Sequence, residues 1–186
     1  MPLLIKKYNT ILLLILSSFL MFSCVKDVDF DQAETLTIEP VIDASLFYFE
    51  LSASSVGNAP NNDITPLSVQ DTTKMDVFSK PFFKENLQEA AFIFEFENTS
   101  QREFNAKIVF YDVAYNQLDE IDILINGPTI SRTHRYAPSE IDKITNTEYL
   151  KLELELLPGT PLLDPNSTGA LSLKSSGTFF MNIDAD

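Results

Sequence analysis

Apolar and polar residues alternate one by one along much of this chain. In Leu150–Lys151–Leu152–Glu153–Leu154–Glu155–Leu156 the leucines fall on one side and Lys, Glu and Glu on the other. A period of two marks a strand with one dry and one wet face; helical spacing would scatter the leucines around a cylinder. Phe92, Phe94 and Phe96 alternate with Ile93, Glu95 and Glu97 in the same way, and Asn98–Thr99–Ser100 then turns the chain. The segment 107–113 is apolar on both faces, which predicts a central strand. Tyr115–Asn116–Gln117 reads as a turn into a strand over 118–125, with Ile121, Ile123 and Ile125 inward. Gly127–Pro128 ends it, and a further strand is expected over 129–136. The stretch 138–144 predicts one helical turn with Ser139 as cap. The final strand is expected over 178–184, with Phe179, Met181 and Ile183 on one face.

Upstream of residue 90 the pattern is weaker. Strands are predicted at 36–38 and 46–51, joined through Pro40, and a short one at 75–78. The stretches 52–66 and 158–169 read as loops. Roughly seven to nine short strands with frequent turns define an all-β antiparallel sandwich. An immunoglobulin- or fibronectin-III-like Greek key is the expected form and a jelly roll the alternative. The helical turn would sit in a crossover between the sheets.

Composition sharpens this picture in two respects. Fifteen Phe and six Tyr supply a core for one domain, while Trp is absent. From Cys24 onward, 11 basic residues face 27 acidic ones, leaving that segment at −16. Such a balance excludes nucleic acid, whose phosphates need Lys and Arg. It also disfavours electrostatic adhesion to anionic lipid.

The start of the chain breaks the alternation. Lys6 and Lys7 precede an apolar run, 11–16 and 19–22, which ends at Ser23 and the sole cysteine, Cys24. A basic start, a short apolar segment and a small residue at the break describe a secretory signal peptide. The run 11–22 is too short to span a bilayer, which needs about 20 residues. With Cys24 directly behind it, the segment resembles a type II signal peptide of bacterial lipoproteins, and the Ser23–Cys24 ending is similar to Bacteroidota examples. The resemblance implies cleavage after residue 23, acylation of Cys24 and anchoring in the cell envelope, at the outer membrane. Several acyl chains would make attachment effectively permanent, since each buried methylene contributes about 0.8 kcal/mol. The expected organisation is a signal peptide (1–23), a lipidated acidic tether (24–34) and one sandwich domain (35–186).

Behind Cys24, Lys26, Asp27, Asp29 and Asp31 resemble the Lys-acidic export signal that sends some Bacteroidota lipoproteins to the cell surface. A calcium loop fits less well: Gln32 stands where glycine is needed and Ile38 where a bidentate Glu is needed. Asp71–Thr72–Thr73 resembles the Bacteroidota O-glycosylation site, with Thr72 as acceptor.

Candidate chemistry is sparse. His134 is the only histidine, and acylation would consume the only thiol. Zinc sites and Ser-His or Cys-His hydrolase arrangements are therefore not expected, nor is a cofactor. Glu120 and Asp122 come near the Glu-x-Asp strand signature of jelly-roll glycoside hydrolases, but Leu124 and Ile125 occupy the positions of the terminal acid. Alternation puts Arg132, His134 and Tyr136 on one strand face, a polar stripe that reads as a solvated sheet face, with a ligand-facing patch as the alternative. The readings that remain are a non-enzymatic envelope module that binds or assembles with other envelope proteins, and a glycan-binding accessory module. Tyr48, Tyr115 and Tyr136 would be the aromatic platforms of the second; a carboxylate hydrolase is the remote third.

Overall fold

A computed structural model describes residues 37–57, 68–75 and 77–184. The signal peptide, Cys24, Lys26, Asp27, Asp29 and Asp31 lie outside the described residues. Both four-stranded sheets lie within one compact unit, Thr37–Ile183.

Eight strands build two antiparallel sheets. They are β2 (Val41–Ser52), β3 (Ser68–Lys74), β4 (Leu87–Asn98), β5 (Phe104–Tyr111), β6 (Gln117–Ile125), β7 (Thr129–Tyr136), β8 (Tyr149–Leu156) and β9 (Ala170–Met181). The two-residue strands β1 (Thr37–Ile38) and β10 (Ile183–Asp184) stand outside both sheets. One sheet has the order β2-β9-β4-β7 and the other β3-β8-β5-β6. Every connection except the β5–β6 hairpin crosses from one sheet to the other. Two four-stranded sheets interleaved in this way form a jelly roll. The antiparallel sandwich is therefore as expected, and the strand order selects the jelly roll over the immunoglobulin-like key.

Alternation translates directly into burial. Leu150, Leu152, Leu154 and Leu156 of β8 meet Phe104, Ala106, Ile108 and Phe110 of β5 in register on the dry face. Phe92, Phe94 and Phe96 of β4 close the core from the other sheet. Phe92 lies at its centre, with edge-to-face contacts to Phe78, Phe110, Tyr136 and Phe179 at 5.5–6.1 Å. Such pairs add about 0.5–1.5 kcal/mol each beyond the area they bury. Gly177 of β9 leaves room for this packing, because a Cβ there would stand 2.6 Å from the Phe179 ring.

Several local expectations are corrected. Strand β3, in the polar segment Ser68–Lys74, was not anticipated, whereas the described residues of 75–78 (75, 77 and 78) belong to no strand. Strand β9 begins at Ala170, eight residues before the expected 178. Val113 lies beyond β5 and is 74% exposed instead of continuing a central strand. The 3-10 turn Pro138–Glu140 and helix α3 (Ile141–Thr145) do occupy the β7–β8 crossover, but neither has a side-chain cap, so Ser139 is not one. Two more short helices, α1 (Ala53–Gly57) and α2 (Pro81–Asn86), flank β3 in the chain.

The loops at one end are tied down by polar side chains. Buried Asn98 donates to the Arg102 carbonyl and accepts from the Ser100 amide and hydroxyl. The buried Arg102 guanidinium donates to the carbonyls of Leu157 and Pro161, fixing the expected 158–169 loop. Gly169, at φ +91°, presses on the Thr99 carbonyl, where a Cβ would come within 2.3 Å of the oxygen.

Candidate functional site

The outer face of the β3-β8-β5-β6 sheet is laid out by register. Gln70, Glu153, Lys107 and Asp122 form one cross-strand row, and Thr72, Lys151, Val109 and Glu120 the next. Lys107 thus separates Glu153 from Asp122 and lies 3.6 Å from Glu120, while Lys151 bonds Glu153 at 2.7 Å. This ion pair holds the Lys151 ammonium above its ordinary range. Opposed like charges, which destabilise a sheet, are avoided here. Glu95 and Glu97 never meet Glu153 and Glu155, because β4 and β8 belong to different sheets.

The third row is aromatic: Lys74, Tyr149, Tyr111 and Gln117. Beyond it the hairpin tip folds back. The Asp112 carboxylate accepts the backbone N–H groups of Ala114 and Asn116 and the Asn116 amide, each at 2.8 Å. These bonds, with the Asn116 side chain first, hold Asp112 below the usual carboxylate range. They also set Tyr115 at φ 62°, in the left-handed region. From there its ring stacks on Tyr149, with centroids 4.6 Å apart and planes within 10°, and Tyr111 flanks it at 6.3 Å. The hydrogen bond with Tyr115 holds the Tyr149 hydroxyl above its ordinary range. Tyr115 is 61% exposed. At the Lys74 end of this row, Glu148 pairs with Lys74 at 3.2 Å and accepts from the Ser79 hydroxyl.

The sequence-derived candidates separate in space. Tyr48 lies on the outer face of the other sheet, exposed, with its hydroxyl donating to Glu50. Tyr136 is not ligand-facing. The register Ala90↔Tyr136, Phe92↔His134 and Phe94↔Arg132 puts these three on the same side as the core phenylalanines. Tyr136 is accordingly 1% exposed, its hydroxyl bonded to Asp119 at 2.8 Å, and burial pushes that hydroxyl far above its ordinary range. His134 is half-buried against it, with ring centroids 4.7 Å apart, so the proposed polar stripe is the rim of the core. Thr72 is exposed on edge strand β3. Glu120 and Asp122 lie on the open outer face, Glu120 also accepting from Gln117.

Tyr111 and Tyr149 were missed as partners of Tyr115. Tyr111 and Tyr115 bracket the turn in sequence, but Tyr149 arrives only through the β5–β8 register. Among the described residues no group of three or more His, Cys, Asp or Glu is arranged to hold a metal. Two surface cavities, about 340 Å³ beside Asn98–Glu103 and about 430 Å³ beside Glu39–Val41, contain none of the sequence candidates.

No family model matches the chain, and no curated protein matches it. Among solved structures it is similar to a protein of Parabacteroides distasonis described as secreted: 13% identity, TM-score 0.46, covering 60% of this chain and 37% of that one. It is similar also to the VP2 subviral particle of infectious bursal disease virus: 10% identity, TM-score 0.45, covering 76% and 32%. A CBM4 structure aligns at 12% identity and TM-score 0.30, over 57% of this chain and 56% of that one. The chain thus spans about a third of the length of the first two. Similarity of this size carries no argument, and the strand order by itself defines the class, an antiparallel jelly-roll sandwich.

Proposed function

We propose that this chain is a lipid-anchored protein of the cell envelope whose jelly roll serves as a binding module and not as an enzyme. The observation that carries the binding role is the tyrosine stack: an exposed aromatic surface held in fixed orientation by a hydrogen-bonded turn. The carboxylates that a hydrolase would use, Glu120 and Asp122, are spread on an open sheet face beside Lys107. The anchor rests on Lys6, Lys7, the apolar run and Cys24; surface display rests on Lys26, Asp27, Asp29 and Asp31. The partners are the membrane, through the lipid, and other envelope components, with no nucleic acid and no cofactor.

Cell fractionation of the full chain tests the anchor. Cys24→Ala is expected to move from the membrane to the soluble fraction, and its retention wholly in the membrane overturns the lipid. Affinity capture from detergent-solubilised membranes tests the binding role: envelope partners held by the wild type are expected to be lost with Tyr115→Ala.

A further inference from the structure

Resting on that reading of the stack as a binding surface, we propose that Tyr115, Tyr149 and Tyr111 form a subsite for a neutral pyranose sugar. Three observations converge. First, Tyr149 covers one face of Tyr115, yet Tyr115 is 61% exposed, so its second face meets solvent. An aromatic face carries partial negative charge and attracts the polarised C–H edges that a pyranose presents on its apolar side.

Second, the ring is held at a conformational cost. Tyr115 occupies a left-handed position, φ 62°, that glycine or asparagine would fill more readily. Asp112 locks that geometry with bonds to Ala114 and Asn116, and the Tyr149 stack fixes the side chain. A preorganised aromatic ring loses little freedom on binding.

Third, the rim selects the ligand. Its charges are paired: Lys74 with Glu148 and Lys151 with Glu153. An anion would meet Glu153 and Asp112, while a cation would meet Lys74 and Lys151. A neutral ligand rich in hydroxyls, able both to donate to Glu153 and to accept from Lys74, satisfies both signs. The excess of acidic residues separately disfavours nucleotides as the stacking partner, because their phosphates would be repelled.

The full chain in detergent is titrated with four soluble neutral polysaccharides: laminarin, mannan, xylan and dextran. Polygalacturonate serves as the charged control and phosphatidylethanolamine–phosphatidylglycerol vesicles as a lipid surface. With no Trp in the chain, tyrosine difference absorption is free of indole signal, and the part of it lost in Tyr115→Ala reports on the stack. The expected result is saturable binding of at least one neutral polysaccharide. Tyr115→Ala should weaken it about tenfold or more, the scale of losing an aromatic hot spot. Tyr115→Phe, which keeps the ring and loses only the hydroxyl, should stay within about threefold, and matched melting curves exclude misfolding. Absence of binding to all four, binding unchanged in Tyr115→Ala, or binding to vesicles alone overturns the sugar subsite. If Tyr115→Ala loses captured envelope proteins while no polysaccharide binds, the sugar falls and the binding module stands. If neither effect is seen, both fall.

Discussion

A single tyrosine shows how a residue's meaning depends on its neighbours. In sequence, Arg132–Thr133–His134–Arg135–Tyr136 reads as a polar stripe. In the fold, Tyr136 stands beside Ala90 on β4 and joins the aromatic core, keeping only its hydroxyl at the boundary, where it donates to Asp119. The Lys143 ammonium lies 3.5 Å from the same carboxylate. Tyr136→Phe keeps the ring and removes a hydrogen bond to a charged acceptor, a loss of about 1.5–3 kcal/mol. For a domain of this size the melting temperature should fall by roughly 5 °C; an unchanged melting curve would show that Asp119 is satisfied without the hydroxyl. Burial, followed by the Asp119 bond, raises the pKa of this phenol in the folded state. The stability it contributes is therefore complete below the ordinary tyrosine value of about 10 and is lost as pH rises beyond it. In an alkaline titration followed by tyrosinate absorbance, Tyr136 should ionise last and together with unfolding. The sequence held no sign of this, because the inward and outward faces of an edge strand are told apart only by its partner.

Among the elements, those with clean alternation were legible and those with mixed faces were not. Strands β4, β6 and β8 follow from Phe, Ile and Leu at every second position because a sheet with one wet face requires it. Strand β3 escaped notice because an edge strand buries little: among the described side chains of 69–74, Val69 is the one hydrophobic packed on the core. The first half of β9 was hidden by Ser175 and Gly177 at inward positions, where Ser175 bonds the Phe47 backbone at the β2 irregularity. The β5–β6 turn was half legible. Asp112 and Asn116 announce a turn, but the stack it presents needs Tyr149 from β8. Asp112→Ala removes the acceptor of both backbone N–H groups, so the near-UV circular dichroism of the stacked tyrosines should diminish while far-UV strand signal persists. Acid should act likewise. The folded pKa of Asp112 is lowered, so the order it imposes is present above the usual carboxylate value of about 3.9 and is lost as pH falls through the lower folded value. A tyrosine signal that declines already at pH 6 would separate the stack from Asp112.

At the scale of the molecule, the interleaved strand order makes the two sheets depend on one core. Nearly every connection crosses between them, so neither sheet is a contiguous piece of chain that can close by itself. Phe92 is where this dependence concentrates. It belongs to β4 in one sheet, contacts Phe110 of β5 in the other, and touches Phe78 in the segment that links β3 to β4. The outer faces, by contrast, are free to vary: charged rows and a tyrosine stack on one, Tyr48, small hydroxyl residues and the charges of Glu50, Glu95, Glu97 and Lys174 on the other. This division explains why the sequence disclosed architecture readily and the candidate site only in part. Core alternation is enforced at every strand, whereas the surface row of Tyr111 and Tyr149 exists only after the strands are ordered. Phe92→Ala should therefore destabilise by about 3–5 kcal/mol, as a large buried ring leaves a cavity. More tellingly, hydrogen exchange should accelerate equally at the central strands β4 and β9 and at β5 and β8, because global unfolding is the common route. Acceleration confined to β4 and β9 would mean that the sheets open separately, and the single shared core would have to be abandoned.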